Sequence, residues 1–517
     1  MLARTLTRKL TGKLNGWIEE MMDIDKSPLT LCQILDAKAE NMPGHIPMNV
    51  DGRAALSLGQ WVEQSNKVAH ALQRMALGKG EKVALLFDGL DWVDYAIAYM
   101  AALRCGATLI HLNGHLGEAE IMRRLHECEV TWLIKSPFII PPRDFLGHIV
   151  QLGDLNLEDD TPLRVAVDPK ADAEIRYTSG TTGMAKAYRV PHQNITFGRT
   201  LDTMEQLSSS ASMLVPMTLG NSTSATLMSI AVTSQNCMIL CSPVDIERMG
   251  ELIEKEKVNS LMLTPYIAAQ IVKFQLQKRH DLSSVKILAS ASSPLAPSLF
   301  RGLEKIFPDS QMQIACAQSE ASPALLIHRY DPEYPFSVGK PSPNTEIRIV
   351  DQKERSVQNG HVGELWLKTA APKRLFLNAP EVNEQLLKDG WYHTGDLVRK
   401  NDLGDVEFFD RKSDVLIKNG TMVSSIMVEA AILNHRAVDE VAVVSMTDKK
   451  GVNFMIAFMV LKDPDLLKEI KTEIRKTQPE DQCPDKFISV ADLPRTDNGK
   501  ILKRLLRLKL AGMEWAD

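Results

Sequence analysis

Short apolar runs alternate with amphipathic stretches from about residue 30 to 415. KVALLF (82–87), ATLIHL (107–112), VTWLIK (130–135) and SLMLTP (260–265) are short and nearly unbroken, and they predict buried strands. WVDYAIAYMAALRCG (92–106) and DIERMGELIEKEK (245–257) predict helices between them. Strands alternating with helices predict an α/β architecture with parallel sheets. TEIRIVD and VGELWLK, within 345–368, follow one another without a helix and predict a smaller antiparallel, β-rich unit.

Beyond about residue 412 the texture changes. A strand and loop, DVLIKNGTMVSS, lead to the helical IMVEAAILNH, then to VDEVAVVSM, NFMIAFMVL and a helix at 464–477. This predicts a compact α+β domain of roughly 100 residues, a size that folds alone. A chain of 517 residues is too long for one ordinary core. The expected layout is an N-terminal segment (1–29), a large domain of α/β subdomains (30–412) and a small, mobile C-terminal domain (413–517).

Within residues 1–22, Leu2, Leu6, Leu10, Leu14 and Ile18 recur every four residues, with Arg4, Arg8, Lys9 and Lys13 between them. That is a basic amphipathic helix pattern without the continuous apolar core of a signal peptide. Docking on its own domain or on a partner is the first reading, and peripheral contact with an anionic membrane is the second.

Composition narrows the class without naming it. Hydrophobic content of 44% with 24% charge fits a globular protein, and a net charge of −5 gives no reason to expect nucleic acid. The seven cysteines are scattered without zinc spacing and predict free thiols in a reducing cytoplasm. No apolar run reaches the length of a membrane span.

The stretch RYTSGTTGMAKAYRV (176–190) suits neither a helix nor a buried strand, since glycine and hydroxyl residues crowd it. Closely spaced backbone N–H groups and hydroxyls can wrap an anion, and Lys186 adds a mobile positive charge. Gly180 and Gly183 stand two residues apart, so this is not the common nucleotide loop. Alone, the loop is equally a surface turn.

Other segments decide. TSGTTGMAK resembles the phosphate loop of the adenylate-forming superfamily, which holds acyl- and aryl-CoA ligases, luciferases and peptide-synthetase adenylation domains. The resemblance continues in the family's order through ASASSPL (289–295), CAQSEAS (316–322), SVGKPSPNTEIRIVD (337–351), DGWYHTGD (389–396), FDRKSDVLIKNG (409–420) and LPRTDNGKILK (493–503). Seven matches in order span nearly the whole chain.

That resemblance implies a two-step reaction. A carboxylate attacks the α-phosphate of Mg·ATP to give an acyl-adenylate, and a thiol of CoA or of a carrier protein's phosphopantetheine displaces AMP. Thr178, Ser179, Gly180, Thr181, Thr182 and Gly183 would hold the β/γ-phosphates, with Lys186 beside them. Glu320 would help hold Mg²⁺, and Ser319 would offer a hydroxyl to the α-phosphate or the acid. Asp396 would accept from the ribose hydroxyls with Arg411 assisting, and Lys500 would bridge the acid and ATP oxygens. Gly420 would approach the pantetheine arm after the small domain rotates about Ser413. Lys412 and Lys418 would meet the 3′-phosphate of CoA. Glu320 and Asp396 also have a plain structural use as N-caps or solvated turn residues, and Arg411 and Lys500 as surface ion pairs.

Several positions depart from the family pattern. Cys316 replaces the aromatic residue on which adenine usually packs. In VPMTLGNSTSATL (215–227), Thr218 and Leu219 stand where relatives carry an aromatic residue and a histidine, and no acidic residue is present. A small, hydroxyl-lined pocket and a neutral carboxylic acid are therefore expected. Ala185 and Ala187 flank Lys186 in place of proline and glycine. The expected function is an AMP-forming acid–CoA ligase. The alternatives are a stand-alone enzyme loading a carrier protein and a catalytically silent nucleotide-binding relative.

Overall fold

The unbroken apolar run Lys82–Phe87 is an inner strand of a seven-stranded sheet, buried at every residue but Lys82. A strand covered on both faces needs no alternation of polar residues. The structure, a computed structural model, describes residues 29–163, 165–178, 184–199, 211–290, 294–418, 420–447, 453–496 and 499–511. The amphipathic pattern of residues 1–22 lies outside them, as do Ser179, Gly180, Thr181, Thr182 and Gly183. Among the described residues no helix is long and apolar enough to cross a membrane.

In the seven-stranded sheet, Asp172–Tyr177, Thr108–Asn113, Lys82–Phe87, Trp132–Lys135 and His148–Val150 lie side by side in parallel. Ala187–Pro191 folds back antiparallel on Asp172–Tyr177, and Leu375–Phe376 adds to its outer edge. The helix Trp92–Arg104 packs into the same core with almost every residue buried, as its all-round apolar sequence requires. Its terminal Arg104 ends in an ion pair with Asp36 at 2.6 Å.

A second sheet has fourteen strands. Cys237–Cys241, Ser212–Pro216, Ser260–Leu263, Ile287–Ser290 and Gln311–Ala317 run in parallel. The antiparallel strands that follow include Leu325–Arg329, Ser337–Pro341, Val406–Arg411, Trp391–Lys400, Gly363–Lys368 and Glu346–Val350. The expected β-rich unit is thus joined edge to edge to the parallel strands. The run read as a strand over 260–265 stops at Leu263. Thr264 caps a helix there, its hydroxyl accepting from Ile267 N at 3.3 Å, and Pro265 occupies the first turn of Pro265–Phe274.

The C-terminal part is α+β. Val438–Thr447 pairs antiparallel with Asn453–Leu461, and Lys486–Ser489 joins in parallel. Alternate residues feed two cores, Val441 and Val443 against helices Ser425–Ile432 and Leu467–Thr477, Ala442 and Val444 against Lys503–Ala511. The stretch 414–425 contains a hairpin, Leu416–Lys418 with Thr421–Val423.

The two large sheets meet closely at Gly220. Its φ is +80°, and a Cβ there would lie 2.3 Å from the Leu112 carbonyl oxygen. Beside it, Asn113 Nδ2 donates to the Leu219 carbonyl at 2.6 Å. A Gly220→Ala substitution is expected to cost about 2–4 kcal/mol of stability, from backbone strain plus displaced strand backbone. A lowered urea unfolding midpoint of the purified variant checks this.

Candidate active site

The glycine- and hydroxyl-rich loop is the connection of a hairpin. Its neck is closed by Thr178 N donating to the Lys186 carbonyl and Lys186 N donating to Thr178 Oγ1, both at 3.0 Å. Lys186 is exposed, with its ammonium 6.0 Å from the Phe376 ring centre. The strand Asp172–Tyr177 is buried on both faces, so the loop leaves the sheet at a fixed point.

Asp396 and Arg411 face each other across the antiparallel pair Trp391–Lys400 and Val406–Arg411. Asp396 is almost wholly buried, and its Oδ1 lies 2.7 Å from Arg411 Nε, an ion pair not aligned as a hydrogen bond. Its other oxygen accepts from Gln318 Nε2 at 2.7 Å, and Gln318 also donates to the Thr394 carbonyl at 2.9 Å. Burial pushes the Asp396 carboxyl upward, opposed by Arg411 and the Gln318 hydrogen bond.

Glu320 follows Gln318 by two residues, in the turn after Gln311–Ala317. Burial raises its pKa, against the charges of Arg411, Lys500 and Arg374. Ser319 is exposed, and its Oγ lies 3.4 Å from Ser222 Oγ at the first turn of helix Ser222–Thr233. Ser222 in turn contacts the Tyr188 hydroxyl at 2.7 Å.

Lys500 comes from the C-terminal part into the same group. A tight turn delivers it, with Gly499 N donating to the Thr496 carbonyl and Thr496 N to the Lys500 carbonyl, each at 2.8 Å. Gly499 has φ +77° and lies against Tyr266 of the large part, where a Cβ would come within 2.9 Å of the Tyr266 Cβ. Arg495 stacks over the same ring at 5.6 Å. Burial and Arg411 lower the Lys500 pKa to about 8, opposed by Glu320 and Asp396. Glu320, Asp396, Arg411 and Lys500, scattered over 181 positions of the chain (320 to 500 inclusive), therefore share one electrostatic neighbourhood.

Other expected residues stand apart or are engaged elsewhere. Gly420 occupies an exposed turn of the hairpin 416–423 with φ +79° and no atom within 4 Å of a built Cβ. Lys412 pairs with Glu364 at 3.0 Å, and Lys418 with Asp485 at 3.2 Å and the Cys483 carbonyl at 2.8 Å. Ser413 is exposed between the two parts. Leu219 is fully buried, and Ser222 supplies the hydroxyl nearest Ser319. Cys316 is under the influence of Asp396 and Arg411, and burial pushes its thiol up to about 12.

Sequence reasoning missed Gln318, although it lies inside the CAQSEAS segment. It also missed a buried network behind helix Ser222–Thr233. Arg176 donates to Glu174 and, at 2.8 Å, to Thr226 Oγ1, while His111 stands 3.5 Å from Glu174 and 2.8 Å from the Tyr95 hydroxyl. The available signal was His111 inside ATLIHL, a polar residue in a run predicted as a buried strand.

Among the described residues no three His, Cys, Asp or Glu are grouped to hold a metal ion. Glu320 is a single carboxylate with no side-chain ion pair within 4.0 Å there. Such a donor fits a cation that brings phosphate oxygens with it, as Mg²⁺ does.

The AMP-binding enzyme family matches residues 35–373, and the AMP-binding enzyme C-terminal domain matches residues 427–500. The chain belongs to that family, within the adenylate-forming superfamily. It is 26% identical to 4-coumarate–CoA ligase 5 of Oryza sativa subsp. japonica over 498 residues, covering 89% of this chain and 91% of that one. It is 24% identical to a long-chain-fatty-acid–CoA ligase of Escherichia coli O157:H7, covering 87% and 89%. The fold is similar to the anthranilate CoA ligase AuaEII in complex with anthranoyl-AMP, with TM-score 0.82, 22% identity and coverage of 94% and 98%. It is similar also to O-succinylbenzoate Coenzyme A synthetase from Bacillus subtilis in complex with ATP and magnesium ion, with TM-score 0.80, 20% identity and coverage of 92% and 98%. With this kinship, the protein is an AMP-binding enzyme.

Lys500 must be protonated to act as a cation, so adenylation kcat/KM is expected to fall as pH rises through about 8. A Lys500→Arg variant, whose charge persists at alkaline pH, should be slower overall and lack that limb. Initial rates of acid-dependent pyrophosphate release between pH 6 and 10 check both.

Proposed function

We propose that the chain activates a carboxylic acid with Mg·ATP and transfers the acyl group to the thiol of CoA. The observation that carries this reading is the convergence of Lys500, from the C-terminal part, on Glu320, Asp396 and Arg411 of the large part. A carboxylate is a poor acylating agent because oxide leaves badly, and adenylation replaces it with AMP. Both steps build negative charge on oxygen, so placed cations and donors lower the barriers.

In the first step Thr178–Gly183 and Lys186 hold the β/γ-phosphates, and Asp396 with Arg411 holds the ribose. Ser319 donates to the α-phosphate or the acid, and Lys500 draws the acid carboxylate and the α-phosphate together against their mutual repulsion. Glu320 holds Mg²⁺, which when bound neutralises phosphate charge. In the second step residues 413–517 rotate about Ser413, withdrawing Lys500 and bringing Gly420 toward the thiol. The large domain is assigned to 30–412, and peripheral membrane contact through 1–22 stays part of the proposal. The 215–227 segment contains no acidic residue to pair an ammonium, which favours a neutral carboxylic acid.

The test is a panel of acids, 4-coumarate, anthranilate, o-succinylbenzoate and saturated fatty acids of graded length, read by pyrophosphate release with CoA or candidate carrier proteins. Acid-dependent pyrophosphate and an acyl-CoA product are expected. Transfer to a carrier protein with CoA inert replaces the acceptor, and no acid-dependent pyrophosphate from any acid overturns the ligase in favour of a silent nucleotide binder. Lys500→Ala should lower adenylation by roughly 10²-fold or more. Thioester formation from a supplied acyl-adenylate should stay within about threefold; undiminished adenylation would remove the role given to Lys500.

A further inference from the structure

Arg374 is a buried charged side chain without a carboxylate in direct contact. It is 6% exposed, immediately before the edge strand Leu375–Phe376. Among the described residues no carboxylate lies within ion-pair distance of it. Its hydrogen-bond partners are neutral acceptors, with Nε donating to Asn194 Oδ1 at 2.8 Å and Nη1 to the Ser319 carbonyl at 2.5 Å. Burial and the neighbouring Arg176 lower its pKa only to about 10, so it keeps its charge at neutral pH.

Asn194, 3% exposed on the short helix His192–Ile195, completes the arrangement. Its Nδ2 donates to the Ser322 carbonyl at 2.9 Å and to the Pro372 carbonyl at 2.6 Å. The two carbonyls that bracket Glu320, at Ser319 and Ser322, are therefore held by one hydrogen-bonded side-chain pair. Both members of the pair stand at the edge of the seven-stranded sheet, beside Ala187–Pro191, the strand that leads out of the loop neck at Thr178 and Lys186. The turn they hold belongs to the fourteen-stranded sheet.

We propose that Arg374 and Asn194 are positioning residues that clamp the Ser319–Ser322 turn to the sheet bearing the phosphate loop. The clamp sets where Ser319 and Glu320 stand relative to the triphosphate, while Asp396 and Arg411 hold the nucleoside end from different strands. A buried guanidinium hydrogen-bonded only to neutral acceptors has its desolvation cost offset only at longer range, here by Glu174 and Glu320. Anionic phosphates arriving at Ser319 add to that compensation. The inference rests on the nucleotide assignment made above, and not on which acid or acceptor is used.

The test needs no acid. Dissociation constants of Mg·ATP and of adenosine are measured by calorimetry on the full chain, with Arg374→Met, Arg374→Lys and Asn194→Ala. Arg374→Met is expected to weaken Mg·ATP by about tenfold or more, through loss of a charge-assisted bond and of the turn's placement, with adenosine within about twofold. Arg374→Lys keeps the charge without the planar fork and should fall between. Asn194→Ala, which removes no charge, should weaken Mg·ATP in the same selective way. Mg·ATP affinity unchanged in Arg374→Met and Asn194→Ala, or adenosine weakened in step with it, overturns the clamp. Should Arg374→Met fail to fold, Arg374→Lys and Asn194→Ala decide by the same selectivity. A wild-type chain that binds Mg·ATP but releases no pyrophosphate with any acid removes the ligase and leaves the clamp to these affinities. A wild-type chain that does not bind Mg·ATP overturns both.

Discussion

The ion pair of buried Asp396 with half-exposed Arg411 is the contact on which the rest of the site depends. It spans neighbouring strands, so the ladder fixes its register before any side chain is placed. Asp396 also receives Gln318, and through Gln318 it anchors the start of the turn that presents Ser319 and Glu320. Arg411 ends its strand, and the next residues lead into the C-terminal part that brings Lys500 back. A pair with a buried carboxylate gains little net stability once desolvation is counted. Its use here is geometric, tying Gln318, the Ser319–Glu320 turn and the domain junction to one sheet.

The junction itself is built unevenly. Next to Arg411, the Asp410 carboxylate accepts from Ser425 N at 2.6 Å, and Lys503 reaches Ser425 Oγ and Glu429 at 2.7 Å each. Away from this point the contacts thin out. Arg301 meets Asn434 at 2.7 Å, both exposed or half-buried, and Lys273 stands 3.9 Å from Asp439. Exposed pairs of that kind contribute about 0–1 kcal/mol each. Gly499 on Tyr266 is a contact of shape, made by a residue without a side chain. A strong pivot with weak surroundings suits the rotation proposed for residues 413–517.

Legibility in the sequence followed the kind of work each residue does. Glu320, Asp396, Arg411 and Lys500 were readable because each sits in a stretch of unusual chemistry whose order along the chain repeats a known pattern. Asn194 and Arg374 were not, because they act on backbone carbonyls far along the chain, Asn194 on Pro372 178 residues away and Arg374 on Ser319 55 residues away. Backbone acceptors leave no signature in the residue that offers them. The burial of Leu219 was not legible either, because the strand before it and Gly220 after it turn it into the core. SLMLTP looked like one strand because the capping role of Thr264 depends on the backbone of Ile267.

Local pattern determined which segments became strands and helices, since periodicity and capping act within a few residues. It also determined the inventory of charged and hydroxyl groups and the order in which they occur. Only the tertiary structure decided that the β-rich unit continues the parallel sheet, that Gln318 reaches Asp396, and that Arg374 is buried beside Ser319. The reason is that sheet edges and buried polar groups find partners at any chain separation. Which partner is met depends on how two sheets pack, and no single stretch of sequence contains both sides of that contact.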